Sequence, residues 1–230
     1  MKSISCCTFA RYAFSAVLLC GCSTTAQKSP IDDLSTQDGL VRVDVKGVDS
    51  VYKRPGVNLA QYDKILIRPV IVQFAKSWKP EQQTGSDLYW MTPPDREKIK
   101  KDLADAFIDV FKEVLQEKGG YQVVTEPAQD VLELQAAIVN LWITAPDVSM
   151  QNPGIVRTFT SDSGEMTLVA ELHDSVTGQL PSRSYDRKED NSGMWQWTNS
   201  VSNTVDARRE IRVWAEPLKK ALDASRGKSA

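Results

Sequence analysis

Between Thr92 and Gly120 the chain carries one long amphipathic segment, and that segment constrains the fold more than any other. Ile99, Leu103, Phe107, Val110, Phe111 and Val114 recur at helical spacing along a single face. Thr92 suits the N-cap, Pro93 the first helical position, and Asp95 the third as a reciprocal capping partner. Gly119-Gly120 supplies a left-handed stop. These signals predict a helix from Thr92 to Lys118. A helix with one apolar stripe needs a surface on which to lay it, and the flanking segments read as strands.

Val41, Val43 and Val45 alternate with charged residues as a short strand. Asp63 to Phe74 is a near-continuous β-branched run, the pattern of a strand covered on both sides. Pro69 interrupts it, which predicts a bulge or an edge segment. Residues 75–91 read as a long loop. Tyr121 to Thr125 and Val131 to Thr144 follow as strands, the second changing phase near Val139 as a bulge would. From Glu165 to His173, Met166, Leu168, Ala170 and Leu172 alternate inward. Residues 174–178 form a turn, and 179–190 return as a polar strand. A last helix is expected from about Asn203 to Ser225, kinked or split at Pro217. The order β-β-α-β-β-β-β-α predicts an α+β fold: a mixed, mostly antiparallel sheet packed by two main helices, the one near 92–118 and the C-terminal one.

The N-terminus has a different character. Lys2 and Arg11 precede the apolar run Tyr12 to Gly21, and no acidic residue occurs before Asp32. This is the layout of a secretory signal. Ten residues at 1.5 Å rise cover about half of a ~30 Å hydrocarbon core, too little for a transmembrane helix. Leu19-Cys20-Gly21-Cys22 resembles the bacterial lipobox. The resemblance implies a diacylglycerol thioether on Cys22, cleavage after Gly21 and acylation of the new amine. Residues 1–21 are then a lipoprotein signal peptide and 22–39 a lipidated N-terminus and flexible tether rich in Ser, Thr, Gln and Asp. Residues 40–225 form one domain and 226–230 a tail. Of the four cysteines, Cys6, Cys7 and Cys20 leave with the signal. That removes any disulfide, zinc or thiol site from the mature chain.

Five segments in order resemble a known family. They are YDKILIRPV at 62–70, the helix after TPPD, YQVVTEPAQDVLELQAAIVN at 121–140, ELHDSVTGQL at 171–180 and RREIRVWAEPL at 208–218. Together they are similar to the DUF3313 family of bacterial lipoproteins, over roughly residues 40–223. The resemblance implies an envelope lipoprotein with a lone domain and no catalytic residue to carry over.

The chemistry legible in the residues is sparse. Gly-rich phosphate loops, Walker motifs and HExxH are absent, so no cofactor, metal or catalytic site is expected. The formal net charge of −2 gives no basic excess for nucleic acid. His173 is the only histidine. Its neighbour Asp174 points to the opposite strand face, so His173 is expected at a solvent-facing hairpin end rather than in a catalytic triad. Asp174 is expected to bond its own turn, with Gly178 at positive φ. Asp186, Glu189 and Asp190, mixed with Arg187 and Lys188, read as a solvated strand end.

Trp142 and Trp214 fall on element faces and are expected in the core. Trp78, Tyr89, Trp90, Trp195 and Trp197 fall in polar segments. Of these, Trp78, Trp90, Trp195 and Trp197 are candidate partner-binding residues, because loop tryptophans serve as interface anchors; the alternative is that their loops fold back and bury them. The expectation is a non-enzymatic accessory or scaffold lipoprotein. It would be held by lipid on Cys22 at the outer membrane, with its domain in the periplasm, binding an envelope protein or a wall polymer. The alternative is an envelope hydrolase with an unrecognised active site.

Overall fold

The computed structural model describes residues 30–79, 92–143, 165–189 and 200–228, with side chains at 30–32, 189 and 200–206 left aside. The elements are α1 (Pro30–Gln37), β1 (Val41–Val43), β2 (Ser50–Lys53), β3 (Lys64–Ile67), β4 (Ile71–Phe74), α2 (Pro93–Lys112), β5 (Gln122–Val124), β6 (Val131–Trp142), β7 (Glu165–Asp174), β8 (Ser182–Glu189) and α3 (Ser200–Ser225). The eight strands form one sheet in the order β1-β2-β8-β7-β6-β3-β5, with β4 also on β6. The β1–β2, β2–β8, β8–β7 and β7–β6 pairs are antiparallel, whereas β3 and β4 run parallel to β6, and β5 parallel to β3. The fold is the expected α+β class with a mixed sheet.

The long helix forms as its sequence dictates. Thr92 Oγ1 accepts from the Asp95 N–H, and the Asp95 carboxylate accepts from the Thr92 N–H at 2.9 Å, a complete capping box. The Thr92 hydroxyl, donating to the Asp95 carboxylate at 2.6 Å, and then the Thr92 N–H hold that carboxyl below the usual range. Leu103, Phe107, Val110, Phe111 and Val114 are buried in the main core with Leu132, Leu134 and Ile138 of β6. The last turn differs from a plain α-helix: Glu113–Glu117 widens into a π-turn. The extra residue lets the adjacent Val114 and Leu115 both reach the core. Glu113 then anchors the turn to α3 by accepting from Arg212 at 2.6 Å. A Cβ at Gly119 would lie 2.5 Å from the Leu115 carbonyl oxygen, so only glycine fits there. Gly120 takes φ +71°, and the Tyr121 N–H donates to the Leu115 carbonyl, turning the chain into β5.

Several strand features were written locally. The expected strand 63–74 is two pieces, β3 and β4, both along the same edge of β6, with Pro69 between them. The Arg68 N–H still donates to the Leu134 carbonyl, so the ladder lapses only around the residue that has no N–H to give. The phase change in β6 is real: its register against β7 shifts between Val139 and Trp142, and Asn140 has φ +53°. Met166, Leu168 and Leu172 of β7 are buried as expected, and Ala170 packs against the same core.

Three expectations need correction. Residues 30–37, placed in the flexible tether, form α1 instead. Its Ser35 is fully buried and accepts from Arg183 of β8, whose guanidinium also pairs with Asp38 at 2.8 Å. α1 has too few apolar residues to announce itself, and Arg183 holds it through contacts far apart in the chain. The strand β2 was missed, because four residues are too short to show a period. The C-terminal helix is not split: α3 runs through Pro217.

The segment after α3 also docks. Arg226 donates to the Tyr62 carbonyl, pairs with Asp63 and lies over the Tyr121 ring at 4.4 Å. The Tyr121 hydroxyl is buried and donates to Asp223 at 2.9 Å. Burial, then that hydrogen bond, pushes the phenol up to about 12 from 10.0. A raised folded-state value means that the neutral phenol stabilises the fold fully below pH 10, and that this contribution is lost as pH rises through 12. Chemical denaturation between pH 9 and pH 11.5 is expected to show a steeper alkaline loss for the native chain than for Tyr121→Phe. Equal slopes would mean that Tyr121 titrates as it does in the unfolded chain.

Candidate functional site: an apolar cleft under the C-terminal helix

The helices α2 and α3 cover one face of the sheet. Between α3 and the strands β2, β8 and β7 the packing is incomplete, leaving a partly open cavity of about 80 Å³. Its sheet wall includes Val51, Leu168, Ala170 and Leu172, and its helix wall includes Trp214, Pro217, Leu218 and Ala221. Val45 and Val48, from the β1–β2 connection, also line it. Protein interiors rarely leave voids larger than a water molecule. Here the void coincides with a proline inside a helix, where the backbone lacks one donor.

Ser182, Ser184 and Asp186, at alternate positions of β8, form the polar part of the lining together with Lys53 of β2. Asp186 is only 1% exposed. Its carboxylate accepts from Trp214 Nε1 at 2.7 Å, from the Asp49 N–H at 3.0 Å and from Lys188 Nζ at 2.7 Å. The solvated strand end expected here is therefore wrong for Asp186, which ties α3, the β1–β2 connection and β8 together. Sequence reasoning missed it because its partners lie 137 and 28 positions away. The one available signal was the buried-type Trp214, whose indole N–H needs an acceptor.

The opposite face of the sheet carries a polar network. His173 Nε2 lies 3.0 Å from Glu171 Oε2, and its Nδ1 lies 3.3 Å from the Gly178 carbonyl. Glu171 also accepts from Arg183 Nε at 2.6 Å. Glu133, opposite His173 in the register, accepts from Arg68 at 2.8 Å. That bond holds the Glu133 carboxyl below its ordinary value against the effect of burial. His173 is thus half-buried inside this network rather than solvent-facing. Asp174 behaves as expected: Oδ1 accepts from the Thr177 and Val176 N–H groups and from Thr177 Oγ1, and Gly178 has φ +70°. The Thr177 N–H is the first cause of its lowered carboxyl pKa.

The tryptophan candidates divide. Trp78 is not an exposed anchor: it is 6% exposed and stacks on Phe74 at 4.3 Å between ring centroids. Its Nε1 donates to the Ile143 carbonyl at 2.9 Å. This is the alternative in which the loop folds back and buries its tryptophan; the sequence does not show the acceptor, which is 65 residues away. Trp214 is core as expected, and Trp142 is half-buried against the core. Trp90, Trp195, Trp197, Tyr89 and Cys22 lie outside the described residues. Among the described residues, no cluster of three or more potential metal ligands occurs, and no helix is long and apolar enough to cross a membrane.

The model of a protein family of unknown function, DUF3313, matches residues 32–218. The chain belongs to the DUF3313 family. The match begins inside α1 and ends in α3, so it takes in the sheet, α2 and the cleft walls apart from Ala221. No curated protein matches the sequence. Among solved structures, the chain is similar to PelC of Paraburkholderia phytofirmans, a dodecamer, at 17% identity. That match covers 74% of this chain and 96% of the other, with a TM-score of 0.40. A Xanthomonas campestris protein of the DUF330 family is similar at 14% identity, over 75% of this chain and 90% of that one, with a TM-score of 0.35.

Proposed function

We propose that this DUF3313 chain is a lipid-anchored, non-enzymatic accessory protein of the bacterial cell envelope that binds an envelope protein or a wall polymer. The observation that carries the reading is Leu19-Cys20-Gly21-Cys22 at the end of a short apolar run behind Lys2 and Arg11. Three acyl chains on Cys22 would make attachment effectively permanent, since each buried methylene contributes about 0.8 kcal/mol. The helix α1 starts at Pro30, eight positions after Cys22. Eight residues extend at most about 28 Å, so the domain would be held close to the bilayer. Ser23, rather than Asp, after the lipidated cysteine supports the outer membrane as destination, with the domain in the periplasm.

The pairing of His173 supports a binding rather than a hydrolytic role. Both ring nitrogens already face partners, Glu171 and the Gly178 carbonyl, and a nucleophile would have to displace one of them. Trp90, Trp195 and Trp197 remain the candidate anchors for the partner, and crosslinked capture from intact envelopes reads its identity. The anchoring is tested by Cys22→Ser. This variant is expected to lose labelled-palmitate incorporation entirely and to leave the membrane fraction or remain unprocessed. A variant that still labels and sediments with membranes overturns the lipid anchor. Recovery of the native chain with inner-membrane markers on a sucrose gradient overturns the outer-membrane assignment.

A further inference from the structure

We propose that the cleft under α3 binds a free fatty acid, its chain against the apolar walls and its carboxylate at Lys53. This site adds to the anchoring and partner roles above and does not depend on them. Four observations support it, beginning with size. An apolar cavity of about 150 Å³ holds benzene. At about 80 Å³, this one is small for a ring and suits a few methylenes of a linear chain.

The second observation is the state of its polar groups. Asp186 already accepts three hydrogen bonds, and Ser182 commits its hydroxyl to the Tyr52 carbonyl at 2.9 Å. Their needs are met within the fold, so the lining solvates an apolar chain without leaving a buried group unpaired. The third is shape. Ser182, Ser184 and Asp186 occupy alternate β8 positions along the cavity, so it extends for two strand repeats, roughly 13 Å. Ala170 on the sheet side and Ala221 on the helix side both line it, small side chains where larger ones would have filled it.

The fourth observation is charge. Lys53 lines the same cavity, paired in register with Ser182 at the end away from Asp186. Among the described residues its ammonium has no hydrogen-bond or ion-pair partner. An apolar channel with a cation at one end and, at the other, a carboxylate already paired with Lys188 complements an anionic single-chain amphiphile. A zwitterionic two-chain phospholipid matches neither the single narrow channel nor the lone positive charge.

The test uses the full chain in isolated membranes and a decanoic acid analogue, whose extended chain matches the roughly 13 Å of the cavity, carrying a diazirine at its terminal methyl end. After irradiation, adducts mapped by mass spectrometry are expected on the 168–172 and 214–221 segments, and excess decanoate should suppress them. Ala221→Trp should abolish the adducts by filling the cavity. Lys53→Gln should lower their yield about threefold or more while leaving the melting temperature unchanged. A phosphatidylcholine with the same diazirine should leave these segments largely unlabelled. The proposal is overturned if the fatty-acid probe leaves both segments unlabelled, if Lys53→Gln leaves the yield unchanged, or if the phosphatidylcholine probe labels them equally.

Discussion

Truncation of Phe107 to alanine is expected to lower the unfolding free energy by about 3–5 kcal/mol. Phe107 is 0% exposed and stacks on Phe111 at 4.0 Å between centroids, one helical turn along α2. Its removal takes away the transfer free energy of a full aromatic side chain. The stacked Phe111 then faces a hole that the rigid sheet beneath cannot close. The expected readout is a lower urea midpoint with an unchanged slope. A loss below about 1 kcal/mol would mean that α2 does not rest on β6, and the assembly of helix on sheet would be wrong.

Asp186→Ala is expected to cost about 3 kcal/mol, for a different reason. The carboxylate collects donors from three parts of the chain. Without it, the buried Trp214 indole N–H and the Asp49 N–H lose their acceptor, each worth about 1–3 kcal/mol when left unsatisfied. Lys188 is 23% exposed and can turn toward water, so its part of the loss is smaller. Asp186→Asn preserves the volume and one carbonyl acceptor, and its loss should fall between alanine and the native chain. A neutral alanine variant by urea denaturation would show that Trp214 and Asp49 find other acceptors and that Asp186 is not the tie between α3 and β8.

These two residues mark the boundary of what could be read from the chain. Phe107 was legible because its helix announces itself through contacts three and four residues apart, closed by the Thr92–Asp95 box and by Gly119-Gly120. The turn at Asp174–Gly178 and the bulge near Val139 were legible for the same reason, since their causes lie within a few residues. The break at Pro69 is a property of one ring that lacks an N–H. The five motif segments together identified the family that the match over residues 32–218 establishes.

The candidate site was illegible. Asp186 sits in a run of charges that, on composition alone, belongs in solvent, and only the arrival of Trp214 and Asp49 makes a buried acceptor of it. Trp78 stands in a polar stretch and becomes core through Phe74 and the Ile143 carbonyl just after β6. α1 has too weak a stripe to form by itself and exists because Arg183 of β8 meets Ser35 and Asp38. The helix α2, its ends, the turns, the strand periods and hence the α+β class are written in the chain, because they follow from interactions between near neighbours. The tertiary structure alone decided which polar residues are buried, where the sheet and α3 leave room, and that Lys53 and Asp186 stand at opposite ends of that room. Desolvation and cavity shape are properties of surfaces brought together from distant parts of the chain, and no local pattern encodes them.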